Sequence, residues 1–177
     1  MGENLRHSYE ESCKVLQGLG LLEGNRIPPQ PQRQPRHDDD EPGVSIFRIS
    51  VEKVSLNNLS LARTFFGRSE IRSVSFKGTD LTESILCWND FIEVDFADAD
   101  LSRCDLRAAN FRNVKFVRSN LTAAELRNAS FEQCDFTDAN MDGTKLTRMQ
   151  GWKLKLSEQQ RKGIDWHWSG ADQPPGG

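Results

Sequence analysis

Every fifth residue from Ile46 to Leu146 is a large aliphatic, Met or Phe, twenty-one positions in succession. A fixed period of this kind marks a repeat architecture. Neither ordinary element can bury it. Five residues advance an α-helix by about 500°, so the apolar side chains would walk around the cylinder without forming a stripe. A flat strand has a side-chain period of two, and an odd spacing would throw alternate large residues onto opposite faces. A chain that turns a corner every five residues points all of them at one axis.

The number of sides follows from a longer period. Phe91, Phe111 and Phe131 are twenty residues apart, as are Phe96, Phe116 and Phe136, and Leu61, Leu81, Leu101 and Leu121 form a third column. Four fives therefore make one coil, with like residues stacked at about the 4.8 Å spacing of paired strands. Two residues before each large one the side chain is mostly small: Ala99, Ala109, Ala124, Ser84, Ser119, Thr64, Thr79, Cys104, Cys134. A narrow four-sided interior requires that. The residue immediately before the large one is often Asp or Asn, as at 80, 90, 95, 100, 105, 120, 135 and 140, a choice suited to tight corners.

Ala99-Asp100-Leu101, Ala109-Asn110-Phe111, Ala139-Asn140-Met141 and Cys104-Asp105-Leu106 carry the resemblance to a known family. The chain resembles the pentapeptide-repeat proteins over residues 44–149. That resemblance implies an all-β solenoid, a right-handed quadrilateral β-helix; twenty-one repeats at four per coil give about five coils, and the flanking residues read as short helical segments at both ends. Ile49, Val54 and Leu59 are bulkier than the pattern prefers, which points to a distorted or capping first coil.

The rest of the chain divides around the repeats. Residues 1–23 read as a helical segment, with Tyr9, Val15, Leu16, Leu19, Leu21 and Leu22 as its apolar members. Residues 24–43 are rich in Pro, Gln, Arg and Asp and read as a flexible linker. Residues 150–177 read as a C-terminal cap and tail, with Ser157 as the N-cap of a short helix and Trp152, Ile164, Trp166 and Trp168 as cap or dimer contacts. Both ends of a solenoid must be covered, because their strand edges are unpaired. A second copy docked on one end would do this, and the resemblance implies such homodimers.

Catalytic and metal chemistry are not expected, and no cofactor is. His7, His37 and His167 lie outside the repeats without evident partners, and the four cysteines show no C-x-x-C spacing. The run Asp38-Asp39-Asp40-Glu41 reads as a solvated linker charge. The first residues contain no apolar core of a secretory signal, and no apolar run approaches the length of a membrane span, so a cytoplasmic protein without membrane contact is expected.

The outer surface narrows the function. Stacked by twenties, Asp98 meets Arg118 and Asp138, Arg63 meets Glu83 and Arg103, Asp95 meets Lys115 and Asp135, and Glu52 meets Arg72. Residues 44–149 hold fifteen acidic and fourteen basic side chains, a net of −1, so the charge should neutralise itself along the rod. Direct nucleic-acid binding has no basic footprint here. The expected function is non-catalytic protein binding to an unknown partner, with scaffolding or neutralisation of that partner, as an antitoxin does, inside the same reading. The resemblance implies an alternative: the quinolone-resistance members mimic DNA with a strongly acidic surface and bind DNA gyrase.

One cluster breaks the polar outer pattern. Phe47, Phe65, Ile85, Cys87 and Trp88 fall on one side of the first coils at outward positions, with Cys87 as the candidate reactive thiol. Exposed apolar clusters mark interfaces. The N-terminal helix, which must bury its own leucines, is expected to fold back over them.

Overall fold

In the computed structural model, residues 5–36 and 43–168 are described. The repeats wind into a four-sided parallel β-helix, and the twenty-residue register is literal. Strand β1 (Ser45–Phe47) pairs with β3 (Phe65–Gly67), and β2 (Ser50–Glu52) continues through β4 (Glu70–Arg72), β5 (Asp90–Ile92), β6 (Asn110–Arg112) and β7 (Ser130–Glu132) as one five-stranded parallel sheet. The other sides are held by single parallel bridges, such as Asp80 with Asp100 and Asn120 with Asn140. At the far end β8 (Lys145–Thr147) pairs with β9 (Asp165–His167), placing Trp166 on Leu146. The Ile46 side thus extends one layer past the last repeat, and the rod makes about six turns where five were expected.

Each corner places one residue in the left-handed region. Eighteen non-glycine residues, every fifth position from Arg48 to Asp138 except 78, have φ between +52° and +62°, and Gly78 and Gly143 complete the series. An L-residue costs roughly 1 kcal/mol or more in this conformation, so stacking must outweigh a standing strain. It does so through backbone bonds between coils, of which Leu61 N–H to Asp80 O (2.8 Å) and Asp80 N–H to Leu59 O (2.8 Å) are typical. The Asp and Asn residues add to it. Asp95, Asp100, Asn120 and Asp135 each accept the backbone N–H two residues on, at 2.9–3.1 Å.

The interior is a stack of rings and small groups. Phe91, Phe111 and Phe131 stack face to face at 5.1 and 5.3 Å, and Phe76, Phe96, Phe116 and Phe136 at 5.1, 5.5 and 4.8 Å. The two columns meet edge-on, with Phe91 5.5 Å from Phe96. Hydroxyls and thiols in the small slots donate to carbonyls of the coil before: Ser84 to Leu61 (3.1 Å), Thr144 to Leu121 (2.8 Å), Cys104 to Leu81 (2.9 Å). Burying such groups without partners would be costly, so their carbonyl partners explain Ser, Thr and Cys in an otherwise apolar core.

Both ends are closed by helices. Helix α1 (Tyr9–Gly18) begins at a capping box of Ser8 and Glu11 and lays Cys13 and Leu16, both 0 % exposed, onto the first coil. The open edge of that coil is satisfied directly: His7 N–H donates to Asn58 O, Ser60 N–H to Ser12 Oγ, and Ser60 Oγ to His7 O, at 2.6–2.8 Å. The helix therefore does not cover the Phe47–Trp88 cluster, contrary to the expectation. The first coil offers unpaired backbone groups as well as apolar area, whereas the cluster offers only the latter. Residues 24–36, expected to be a linker, lie along the rod, where Arg63 donates to Pro31 O (3.1 Å) and Gln34 to Arg103 O (3.2 Å). The acidic run 38–41 falls outside the described residues.

The C-terminal cap uses one device twice. Helix α2 (Arg148–Lys153) starts at Thr147 and helix α3 (Glu158–Gly163) at Ser157, each in a capping box closed by a glutamine. Gln150 then donates to Leu126 O and Ala129 O, and Gln160 to Phe136 O and Ala139 O, at 2.6–3.1 Å. One amide side chain caps a helix and a coil edge together.

The charge ladders hold in part. Arg118 grips Asp98 at 2.7 Å, and Glu83 lies between Arg63 (2.7 Å) and Arg103 (3.0 Å). Glu52 pairs with neighbouring Lys53, Arg72 with Glu70 and Asp95 with Lys77, so the expected Glu52–Arg72 and Asp95–Lys115 pairs are not made, and among the described residues no ion pair joins Lys115 to Asp135 or Arg118 to Asp138. The hydrogen bond from Arg63 holds the Glu83 carboxyl below the ordinary carboxylate range. A depressed folded-state value contributes stability above the unfolded value near pH 4.3, lost as pH falls through the folded one. Glu83→Gln is therefore expected to lose up to about 1 kcal/mol at pH 7 and to destabilise less than the parent on acidification from about pH 5 to pH 3. Urea titrations at both pH values check this.

Candidate functional site

On the side that begins at Ile46, the outward positions of the first three coils are Ser45, Phe47 and Arg48, then Phe65, Gly67 and Arg68, then Ile85, Cys87 and Trp88. The strand register brings Ser45 beside Phe65 and Phe47 beside Gly67, and a bridge brings Phe65 beside Ile85. Gly67 leaves room for a ring: a Cβ there would lie 3.1 Å from the Phe65 ring tip. Phe65 is consequently half-buried, with its ring 5.9 Å from that of Phe47.

Two of the predicted residues stand in solvent and two do not. Trp88 is 60 % exposed and Phe47 43 %, while Ile85 and Cys87 are buried beneath their neighbours. The expectation that Cys87 is an accessible thiol is corrected by this burial, which, with the Asp105 carboxylate nearby, pushes the thiol above its ordinary value. Cys13 and Cys104 are buried as well.

Trp88 is held in a corner at φ +60°, and it is the sole aromatic among the eighteen left-handed non-glycine residues described. A bulky residue there is a genuine outlier. Its neighbour Asn89, 0 % exposed, fixes the corner from inside by donating to Phe66 O (2.6 Å) and Leu86 O (2.9 Å) and accepting Ser69 N–H (2.8 Å). Asn89→Ala leaves three backbone groups unpaired and is expected to cost about 2 kcal/mol or more, read as a lower urea midpoint. The repeat pattern alone did not single out Asn89, although it is the one amide among the second inward positions from 44 to 144, which was the available signal.

The arginines complete the edge. Residues 44–147 contain nine, and seven (63, 72, 103, 107, 112, 118 and 127) lie within ion-pair distance of a carboxylate. Arg48 and Arg68 have no such partner among the described residues. Arg48 instead lies over the Phe47 ring at 5.0 Å and Arg68 over Trp88 at 5.7 Å. Cation–π contacts at exposed sites contribute about 0.5–1 kcal/mol each, enough to order the side chains while leaving the charge free for a partner. Next to Ser45 a cleft of about 270 Å³ opens between Leu22, Pro28, Pro29 and Gly43.

The C-terminal candidates divide differently. Ile164 is buried, and Trp166 closes the rod end above Gly151 and donates to Arg161 O at 3.0 Å. Trp152 and Trp168 are 78 % and 61 % exposed, the latter beneath Arg148. No group of His, Cys, Asp and Glu that could hold a metal occurs among the described residues, and none of their helices is long and apolar enough to cross a membrane.

A search of curated protein sequences returns no match. Among solved structures, a pentapeptide repeat protein from the Arabidopsis thaliana thylakoid lumen is 27 % identical over 71 % of this chain and 83 % of its own, with a TM-score of 0.37. HetL, a pentapeptide repeat protein involved in heterocyst differentiation regulation in the cyanobacterium Nostoc, is 18 % identical over 54 % of this chain, with a TM-score of 0.40; the alignment spans 48 % of HetL. QnrB1, a plasmid-mediated fluoroquinolone resistance protein, is 15 % identical over 78 % of this chain and 70 % of its own, with a TM-score of 0.39. Residues 84–163 match the family model of the pentapeptide repeat region, and the five-residue winding they belong to runs from Ile46 to Leu146.

Proposed function

We propose that this chain is a non-catalytic protein-binding module, a rigid rod whose contact surface is the edge from Phe47 to Trp88. The observation that carries the reading is Trp88, 60 % exposed at a strained corner and positioned by a buried asparagine. Aromatic and arginine side chains dominate the energetics of protein interfaces. The alternative of a DNA mimic that acts on gyrase is supported less. Among the described residues Asp98, Asp105, Glu83, Glu125 and Glu132 are each engaged by an arginine, which counts against the kind of unneutralised acidic face that a phosphate backbone presents.

The test is affinity capture from cell extract with the full chain, comparing the parent with Trp88→Ala and with Arg118→Ala on another corner. The reading expects a captured protein that is lost with Trp88→Ala and retained with Arg118→Ala. Identical capture by all three would refute it. Point variants are preferable to removal of the N-terminal segment, since α1 closes the first coil and its loss would unravel the surface under test.

A further inference from the structure

The exposed charge on the edge defines the chemistry of what it binds. We infer that the edge takes an acidic, apolar-spaced peptide segment of a partner protein, its carboxylates on Arg48 and Arg68 and its apolar side chains on Phe47 and Trp88. The inference rests on the reading of this edge as the contact surface and adds the partner's charge to it.

Charge complementarity carries the argument. Among the described residues the seven other arginines from 44 to 147 each meet a carboxylate, most often from the coil above or below or two residues away in the same coil, and Arg148 in the C-terminal cap lies over Trp168. Arg48 and Arg68 occupy equivalent corners of consecutive coils, both exposed, and their nearest in-register neighbours Phe47, Gly67, Cys87 and Trp88 carry no anion. The two side chains leave the backbone about 5 Å apart along the rod, Arg48 over Phe47 and Arg68 leaning on to Trp88 of the next coil, and like charges so placed repel each other mildly. The repulsion is relieved by an anionic ligand and aggravated by a cationic one. Arginine's planar fork suits carboxylates in two-point contact. Parallel stacking also matters for shape: the aromatic faces of Phe47 and Trp88 stand beside the cations, so a peptide with alternating carboxylate and apolar side chains meets both at once.

The experiment titrates the full chain with three labelled peptides that alternate Leu with Glu, with Gln or with Lys, followed by anisotropy and tryptophan fluorescence. The Glu peptide is expected to bind at least about tenfold tighter than the Lys peptide, and to weaken as salt rises from about 50 to 300 mM. Arg68→Glu and Arg48→Glu should each cost about tenfold, and Arg118→Glu should leave the affinity unchanged; urea midpoints confirm that each variant folds. Equal binding of the Glu and Lys peptides, or full affinity in both edge charge reversals, would overturn the inference. Tight binding of the Gln peptide that Trp88→Ala abolishes would overturn it too, yet leave the edge as a contact surface; binding indifferent to Trp88 would remove both.

Discussion

Phe96→Ala is expected to lower the unfolding free energy by about 3–5 kcal/mol, one of the two largest effects of a single substitution in this chain. Phe96 is 0 % exposed, stacked between Phe76 and Phe116 and met edge-on by Phe91. Truncation removes the transfer free energy of the ring and leaves a void that the stacked neighbours cannot fill, because each is pinned by its own coil. Phe131→Ala provides the internal comparison. It closes its column near the C-terminal end and is only half-buried, so the loss should be smaller by a kcal/mol or more, at about 2 kcal/mol. Equilibrium urea unfolding of the two variants checks the ordering. Equal losses would mean the ring columns are not the continuous core described here.

Leu16→Asp should have a comparable effect, at least about 4 kcal/mol, but a local one. Leu16 is 0 % exposed, on the inner side of α1, and a carboxylate there would be buried without a partner. In a solenoid each coil contacts only its neighbours, so damage at a cap propagates inward from that end. Hydrogen exchange should therefore accelerate first at Arg63, Phe65 and Phe66, while Phe96 and Phe116, deep in the stack, keep their protection. The bared strand edges should also promote self-association, visible in sedimentation as species above the parent mass. A variant with unchanged exchange at the first coil would contradict the role given to α1.

The repeat itself could be read from residue types because its physics is one-dimensional. The ring columns at 91, 111 and 131, the small slots at 84, 104 and 144, and the ladder of Arg63, Glu83 and Arg103 follow from position in a period of twenty, and the structure shows each of them. The placements that escaped depend on which of several surfaces competes best. Helix α1 has leucines that either the cluster or the first coil could bury; the coil also supplies Asn58 O and Ser60 N–H, hydrogen-bonding groups that hydrophobic patterning does not register. The burial of Cys87 escaped for a similar reason. Its register is outward, but it is buried all the same, a tertiary effect without local signal. The left-handed corners left no signature either, since Arg, Glu, Asn, Asp, Ala and Trp all occupy them. Aromatic residues at Phe47, Phe65 and Trp88 were legible as misplaced; the unpaired charge of Arg48 and Arg68 emerged only once the seven other ion pairs were seen.

The central claim is that this rod meets its partner along the corner of Trp88 and Arg68. The direct test places a photo-crosslinking amino acid in cells at position 68 or 88, and separately at 118, where Arg118 is locked to Asp98. The account predicts a discrete crosslinked product from 68 and 88 and none from 118. Products from 118 alone, or equal products from all three positions, would contradict it.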